Sequence, residues 1–562
     1  MLREGYSRAD LKNDVLAGIV VGIVALPLAM ALAVGVGVAP QYGLYTAIVA
    51  GFVVAALGGS RTQVTGPTAA FIVILAPIFT RFGLAGLLIS GLLGGLILIA
   101  MGVFRLGRLI QFIPHPVTTG FTSGIATVIA TLQLKDLLGL TLPRNPEHYV
   151  DRVVVMVQSG RTASGAELLI GLITLGVLVY FPRITRRIPA PLVALPFAAV
   201  TAAILGHLVP SFHVATIASR FHTVVDGQTL RGIPQLPPLP LLPWLAPGPG
   251  GVSFQLGFDG IRALVSGAIA IAMLGAIESL LSAVVADGMA RTKHDPDAEL
   301  IALGIGNVIA PFFGGIPATG AIARTATNIK AGARSPVASM CHALTILAAV
   351  LVLAPLLGYL PMASLAALLL LVAWNMSEAK HFIHMLRVAP KSDVAVLLTC
   401  YVLTVGVDMV VGVSVGMVLA ALLFMRRMAE VTHMRLADAT HPDLPGPLPP
   451  GVVVYEISGP LFFGAAQKAM AALEIVARET RVVILLMDEV HAMDATGLVA
   501  LESAIQSLRD RNCLTILSGL RAQPRVVINR SGIGADGTVV SCATSKEALD
   551  RAAEHVGGRA TL

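Results

Sequence analysis

Ionisable residues inside apolar segments are the first candidates for chemistry in this sequence. Glu278 lies in the middle of the apolar segment 273–288, and Ser282 follows four residues later, so that both share one helix face. A carboxyl group beside a hydroxyl group is suited to binding a proton or a sodium ion. Because an ionisable side chain at the bilayer centre costs about 2.5–3.5 kcal/mol, we expect Glu278 to be functional. The alternative is a structural carboxyl group that hydrogen-bonds to a neighbouring helix.

Two related stretches of sequence predict a site for an anion. GGSRTQVTGPTAAF at 58–71 aligns with GGIPATGAIARTATN at 314–328 when Thr65-Gly66 is laid on Thr319-Gly320. Each stretch has an extended beginning followed by a short apolar helix, whose first N–H groups carry partial positive charge. Two such helix ends that face each other would bind an anion through backbone groups alone. The alternative is that the glycines and prolines merely kink packed helices.

Arg324 lies near the N-terminal end of the second of these short helices. Its guanidinium group would add a full charge and a fork of donors to the anion site, and Glu278 could serve as its counter-charge inside the membrane. The alternative is that Arg324 extends to the inner surface of the membrane. The sequence shows no catalytic triad, phosphate-binding loop or cluster of metal ligands, so we expect neither enzymatic activity nor a cofactor or metal.

The composition is that of a protein that spans a membrane many times. Of the 562 residues 56% are apolar and 13% charged, whereas soluble domains carry about 25% charged residues. The mean hydropathy is +0.82, which excludes a soluble enzyme and a disordered chain. The net charge of +7 is explained by Lys and Arg in inner loops, so we expect no nucleic-acid partner. The four cysteines form no CxxC pair and predict neither a disulfide framework nor a zinc site.

The apolar runs predict about fourteen membrane segments arranged as two repeats. Repeat one covers about 15–209 and repeat two about 260–427, with residues 1–14 as a cytoplasmic N-terminus and 210–250 in an outer loop. Seven segments per repeat is an odd number, so the second repeat enters the membrane from the opposite side, as in many secondary transporters. With the N-terminus inside, most Lys and Arg residues fall on the inner side, as membrane proteins prefer. The predicted segments are 15–38, 42–57, 66–80, 83–103, 117–134, 164–182, 190–209, 260–287, 298–312, 319–330, 336–357, 361–376, 393–407 and 409–425.

The C-terminal part has the composition of a small soluble domain. Residues 15–427 form the predicted transmembrane domain, and 428–451 read as a polar, Pro-rich linker. Strand-like and helix-like runs then alternate over 452–562, which predicts a small sheet covered by helices. An even number of crossings places this domain in the cytoplasm.

Several of these motifs resemble those of the sulfate permease (SulP) family of anion transporters. The likeness rests on PQYGLYTA (40–47), GGSRTQVTGPTAA (58–70) and a tail that resembles a STAS domain, with MDATGL (493–498) at the start of a helix. Within this family the chain resembles in particular the bacterial transporters of C4-dicarboxylic acids, in GVAPQYGLYTA (37–47), GAIESLLSAVV (275–285) and AWNMSEA (373–379).

This resemblance implies a fold and a mechanism. The fold is fourteen segments in two inverted seven-helix repeats, divided into core and gate domains, plus a cytoplasmic STAS domain. The core would slide like an elevator with the anion between the third and tenth segments. Members are typically homodimers, and the resemblance places the chain in a bacterial inner membrane with both termini in the cytoplasm.

The resemblance also implies which residues bind the anion and the coupling ion. Glu278 takes the position of a sodium-binding aspartate of a bicarbonate-transporting member, and Ser282 matches a nearby hydroxyl. One departure concerns the tail, where Ala495 stands in place of the Ser that related domains phosphorylate, and Thr496 follows it. The substrate-binding positions are Thr65, Gly66, Thr68 and Ala69 on the third segment, Gly320, Ala321, Ala323 and Arg324 on the tenth, and Leu26 and Ala29 on the first.

We therefore expect proton-coupled uptake of C4-dicarboxylates such as succinate or fumarate. Glu278 would take the proton, and the helix ends with Arg324 would hold a carboxylate group. The alternative cargo is bicarbonate, sulfate or chloride, which the sequence does not exclude, with sodium or protons as the coupling ion. A different class of function is a membrane scaffold or sensor that recruits a cytoplasmic protein through its STAS domain.

Overall fold

The structure is a computed structural model that divides into two compact units, Met1–Met417 and Val418–Leu562. It describes residues 6–558 with the exception of 109–112, 145, 147–148, 186–187, 226–227, 249–253, 255–256, 438–443, 445–447, 463–464, 471–472, 474–478 and 535–536.

Helices build the first unit, and most of the long ones are apolar. They are α1 (Arg8–Val36), α2 (Pro40–Leu57), α3 (Phe71–Val103), α4 (His115–Leu137), α5 (Tyr149–Gln158), α6 (Gly165–Ile184), α7 (Ala190–Leu208), α8 (Ile217–Arg220), α9 (Phe258–Ala290), α10 (Pro296–Ile309), α11 (Ile322–Lys330), α12 (Pro336–Leu357), α13 (Met362–Ser377), α14 (Ala379–Val388), α15 (Lys391–Gly406) and α16 (Met409–Val431). The chain passes from the first unit to the second within α16. Short strands lie between some of the helices, namely β1 (Thr65–Gly66), β2 (His222–Val225), β3 (Gln228–Arg231) and β4 (Thr319–Gly320).

Eleven helices of the described chain are long and apolar enough to cross a membrane. Gly83 interrupts α3 with a φ of 67°, which glycine adopts without strain, so that this long element is two helices in sequence. With this division, each of the fourteen predicted segments contains a helix, while the number of crossings stays a prediction. The nine residues of α11 span only about 14 Å, far less than a bilayer core of about 30 Å.

The helices of the first unit form two packed groups. One contains α1, α2, α3, α9, α10, α11 and α12, and the other contains α4, α6, α7, α13 and α15. In the first group α3 and α10 approach closely at Gly95 and Gly304, where an added Cβ on Gly95 would lie 2.7 Å from the carbonyl oxygen of Gly304. Such small-residue contacts are typical of helix packing in membranes. The two groups correspond to the predicted core and gate.

The second unit is an α/β domain, as predicted. Its sheet has the order β5 (His433–Ala437), β6 (Val452–Ser458), β7 (Val482–Glu489), β8 (Leu514–Ser518) and β9 (Val539–Cys542), with β5 antiparallel to β6 and the other pairs parallel. The helices α17 (Ala465–Met470), α18 (Ala495–Asp510), α19 (Ala522–Ser531) and α20 (Ser545–Gly558) accompany it. Burial raises the pKa of the Cys513 thiol to about 11, so this side chain is a neutral part of the core.

Two stretches hold more regular structure than the sequence predicts. The predicted linker 428–451 begins with the end of α16 at Val431 and continues as β5, which pairs along the free edge of β6. Short edge strands tolerate polar residues, which explains why the sequence gives little sign of this one. The predicted outer loop 210–250 contains the hairpin of β2 and β3.

Candidate functional site

The two related stretches of the sequence come together in the structure. β1 pairs with β4 in antiparallel fashion, so that Thr65 lies opposite Gly320 and Gly66 opposite Thr319. The backbone N–H of Ala321 extends this pairing by donating to the carbonyl oxygen of Val64 at 2.9 Å. The alignment of the two repeats therefore identifies residues that are in direct contact.

A helix begins shortly after each of these two strands. α3 starts at Phe71 after Ala70, and α11 starts at Ile322 after Ala321; neither cap residue supplies a side-chain hydrogen bond to the helix. The N–H groups of both first turns therefore lack side-chain caps and keep their partial positive charge. This arrangement is able to bind an anion.

The alanines predicted to bind the anion on the third and tenth segments differ in exposure. Ala69 is buried at 8% exposure, and Ala321 has the same value. Ala323 is exposed on the first turn of α11. The N-terminal turn of α11 therefore has one face that no other part of the described chain covers.

The glycines of the paired strands are required by close approach. A Cβ atom on Gly66 would overlap Nη1 of Arg324, and one on Gly320 would overlap Nε2 of Gln63 and lie 3.0 Å from Cα of Ser279. The second conflict involves backbone and is not relieved by moving one side chain.

Replacing Gly320 by alanine is expected to damage both stability and transport. Overpacking of this kind typically costs about 1–3 kcal/mol, and here it pushes β4 away from α9. We expect a lower melting temperature and at least an approximately tenfold lower rate of anion uptake. Gly176→Ala in α6 is the matched control, because an added Cβ there meets no atom within 4 Å. Equal behaviour of the two variants would contradict the close approach at Gly320.

Arg324 lies at the centre of this arrangement. Its side chain is 2% exposed, and Nη2 donates a hydrogen bond to the carbonyl oxygen of Pro67. Within the described chain, its Nε and Nη1 have no hydrogen-bond partner. No ion pair joins it to Glu278 in the described part of the structure, although the sequence suggests Glu278 as its counter-charge. Two donor nitrogens of this cation are thus buried without a partner among the described residues, and a bound anion would satisfy them.

Glu278 contacts the third segment. Its carboxylate accepts a hydrogen bond of 2.8 Å from Oγ1 of Thr68, and both side chains are half-buried. Ser282 is fully buried and donates instead to Oγ1 of Thr325 at 3.2 Å. The structure therefore brings Glu278 to the predicted anion-binding segment and directs Ser282 toward the tenth segment. No group of three His, Cys, Asp or Glu residues suited to a metal is found among the described residues.

A buried polar network lies behind β1, and the sequence does not predict it. Glu299 is 1% exposed and accepts hydrogen bonds from the backbone N–H of Ser60 at 3.1 Å and from Nε2 of Gln63 at 3.0 Å. Nε2 of Gln63 also donates to Oγ of Ser279 at 2.7 Å. This network fixes the strand that leads into the site. The one sequence feature that could have indicated this network is Glu299 itself, an acidic residue inside the apolar run 298–312.

The first segment packs closely beside the second. Leu26 is 7% exposed and Ala29 is fully buried. Ala29 lies against Gly43 of α2, where an added Cβ would overlap its carbonyl oxygen. That these two residues line the anion site stays a prediction.

The loop before α18 carries the departure seen in the sequence. Asp494 caps this helix by accepting from the backbone N–H of Gly497 at 2.7 Å. Ala495 follows it and is exposed, so the position is accessible but offers only a methyl group. Phosphorylation at this position is therefore excluded.

Comparisons with known proteins agree with the fold and the motifs. The sulfate permease family profile matches residues 11–400, and the STAS domain profile matches residues 447–541. "Putative sulfate transporter YvdB" of Bacillus subtilis is 40% identical over 533 residues, which cover 94% of this chain and 95% of that protein. "Bicarbonate transporter BicA" of Picosynechococcus is 28% identical over 546 residues, covering 92% of this chain and 90% of that one.

A solved structure supports the same assignment at the level of fold. Murine Solute Carrier 26 family member A9, described as an anion transporter in the inward-facing state, aligns with a TM-score of 0.83 at 21% identity. The alignment covers 98% of this chain and 92% of that one. Together with the family profile and the two sequence relatives, this shows that the chain belongs to the sulfate permease family and is a multi-pass membrane transporter of anions with a C-terminal STAS domain.

Proposed function

We propose that the protein takes up a small inorganic oxyanion, with sulfate as the first candidate, together with protons. The names of the two sequence relatives favour sulfate or bicarbonate over the C4-dicarboxylates expected from the sequence motifs. Bicarbonate is the second candidate, and succinate and fumarate become the third.

The observation that carries this proposal is the pair of Arg324 donors, Nε and Nη1, that have no partner among the described residues and lie beside two helix N-termini. A compact oxyanion presents several acceptor oxygens within a small radius, and this site offers donors from one side chain and from backbone. Charge-assisted hydrogen bonds of this kind are about twice as strong as neutral ones.

Glu278 is the proposed proton acceptor. When ionised, it repels an anion bound next to Thr68, and two unit charges 4 Å apart interact by about 4 kcal/mol at an effective dielectric constant of 20. Protonation removes this repulsion and so couples the proton to the anion. The sodium alternative rests on the same atoms, because the Glu278 carboxylate and the Thr68 hydroxyl are also suitable oxygen ligands.

Alternating access would follow from movement of the core group of helices relative to the gate group, as in an elevator. We place the protein in the bacterial inner membrane as a homodimer with both termini in the cytoplasm, where the STAS domain is free to recruit a protein partner. We propose that the protein acts as a transporter and not as an enzyme.

The test is uptake of radiolabelled sulfate into proteoliposomes under an inward proton gradient, with the membrane potential clamped at zero. We expect accumulation above the external concentration, collapse on addition of a protonophore, and competition by unlabelled sulfate. Empty liposomes are the control. Accumulation of bicarbonate only with sodium, or of succinate instead of sulfate, would replace the proposed cargo. If none of these anions nor chloride crosses the membrane, the scaffold alternative is favoured.

A further inference from the structure

A large cavity lies away from the site described above. Its volume is about 920 Å³, and it is bordered by the end of α1, the start of α2, the bend of α3 at Gly83, the end of α4 and the start of α13. The predicted alternation of crossings puts all of these positions on the outer side of the membrane. None of the predicted anion-binding residues is among its lining residues.

Positive charge is in excess in this cavity. Among the described residues its lining contains Lys135, Arg152 and Arg220 but only one acidic residue, Asp136, which pairs with Arg220 at 2.8 Å. Nε and Nη2 of Arg152 both donate to the carbonyl oxygen of Pro146, at 3.2 and 2.9 Å, which orients the guanidinium group. Among the residues that the structure describes, no carboxylate forms an ion pair with it.

Lys135 is half-buried, and its ammonium group makes no hydrogen bond in the described part of the chain. A neighbouring cavity of about 570 Å³ shares Lys135, Asp136 and Arg220 and adds Arg144 and Glu167. Glu167 is engaged in a hydrogen bond of 2.6 Å from the backbone N–H of Ala215. With three basic and two acidic side chains among the described lining residues, this second space keeps a small positive excess.

We propose that the larger cavity is an outer anion-binding vestibule, in which Lys135 and Arg152 hold the incoming anion before it enters the core site. This inference rests on the anion transport of the family and does not depend on which anion is carried. A cleft lined by one sign of charge raises the local concentration of counter-ions and the association rate by about tenfold or more, an effect that salt reduces. The vestibule thus helps the anion to bind from the outer side and has no role in the release of the anion at the inner side.

A reporter cysteine in the vestibule tests this electrostatic role without reference to transport. Thr223 is a neutral lining residue, so Thr223→Cys leaves every cation in place. In right-side-out vesicles we expect a negatively charged methanethiosulfonate to react with it about tenfold faster than a positively charged one, relative to a control cysteine. Lys135→Gln or Arg152→Gln should reduce this preference, and millimolar sulfate should slow the reaction of the anionic reagent.

The control is Gln158→Cys, an exposed position at the end of α5 that lines neither cavity. The parent protein corrects for reaction at native cysteines. Equal charge preference at positions 223 and 158, or a preference that survives both substitutions, would overturn the proposal.

A transport measurement provides the second readout. Lys135→Gln should raise the KM for external sulfate about three- to tenfold with little change in kcat, and should weaken the dependence of KM on ionic strength. Arg161→Gln, which removes an exposed outer charge outside both cavities, should leave KM unchanged. An equal effect of the two substitutions would contradict a specific vestibule. If the parent protein carries another anion, the same KM comparison is made with that anion, while the reporter cysteine is read independently of it.

Discussion

Replacing Glu278 by glutamine is expected to abolish accumulation of the anion against its concentration gradient. The glutamine side chain is permanently neutral, so the anion binds without a proton and crosses in either direction. With the membrane potential at zero and one proton per anion, a gradient of one pH unit supports about tenfold accumulation in the parent protein. The variant should equilibrate the anion and stop at equal concentrations, while exchange of internal for external anion continues.

The pH dependence of uptake distinguishes this coupling role from a structural one. In the parent protein the initial rate should rise as the external pH falls, because only the protonated form of Glu278 accepts the anion from outside. The rate of the Glu278→Gln variant should be independent of pH. Asp287→Asn is the matched control on the same helix, since Asp287 is held by His294 and Thr292 near the helix end. We expect it to keep the pH dependence, and an unchanged pH profile in Glu278→Gln would refute the assignment.

The pairing at the centre of the site was accessible from the sequence because it is repeated. Thr65-Gly66 and Thr319-Gly320 recur in the two halves with the same flanking pattern, and an inverted repeat brings equivalent positions together. The starts of α3 and α11, and the place of Arg324 near the start of α11, can be predicted from the residues of these stretches alone. These features need no knowledge of how distant segments pack.

Other parts of the site depend on contacts that leave no local pattern. Ser282 shares a helix face with Glu278, yet its partner Thr325 comes from another helix. The hydrogen bond between Gln63 and Glu299 joins residues 236 positions apart. The edge strand β5 was not predicted for a related reason. Its pairing partner β6 lies beyond a Pro-rich stretch of the sequence. Partners of this kind are determined by tertiary packing rather than by the spacing of residues.

The second large effect is expected at Arg324. Replacing it by glutamine removes the positive charge and the two guanidinium donors that have no partner in the described structure. Hydrogen bonds to charged groups contribute about 1.5–3 kcal/mol, which corresponds to a loss of about ten- to a hundredfold in anion affinity. Arg324→Lys retains the charge without the planar fork and should bind with intermediate affinity.

A measurement of binding and stability on the same purified protein separates recognition from folding. Arg324 is a buried cation without an ion pair among the described residues, and its removal relieves the cost of burying that charge. The melting temperature of Arg324→Gln in the absence of anion should therefore not fall, while the affinity for radiolabelled sulfate should fall by about ten- to a hundredfold. A variant that binds sulfate as the parent does would remove Arg324 from the site. A variant that loses binding only because it unfolds would show that Arg324 is structural. A variant that stays folded and binds sulfate weakly would show that the guanidinium donors of Arg324 hold the anion.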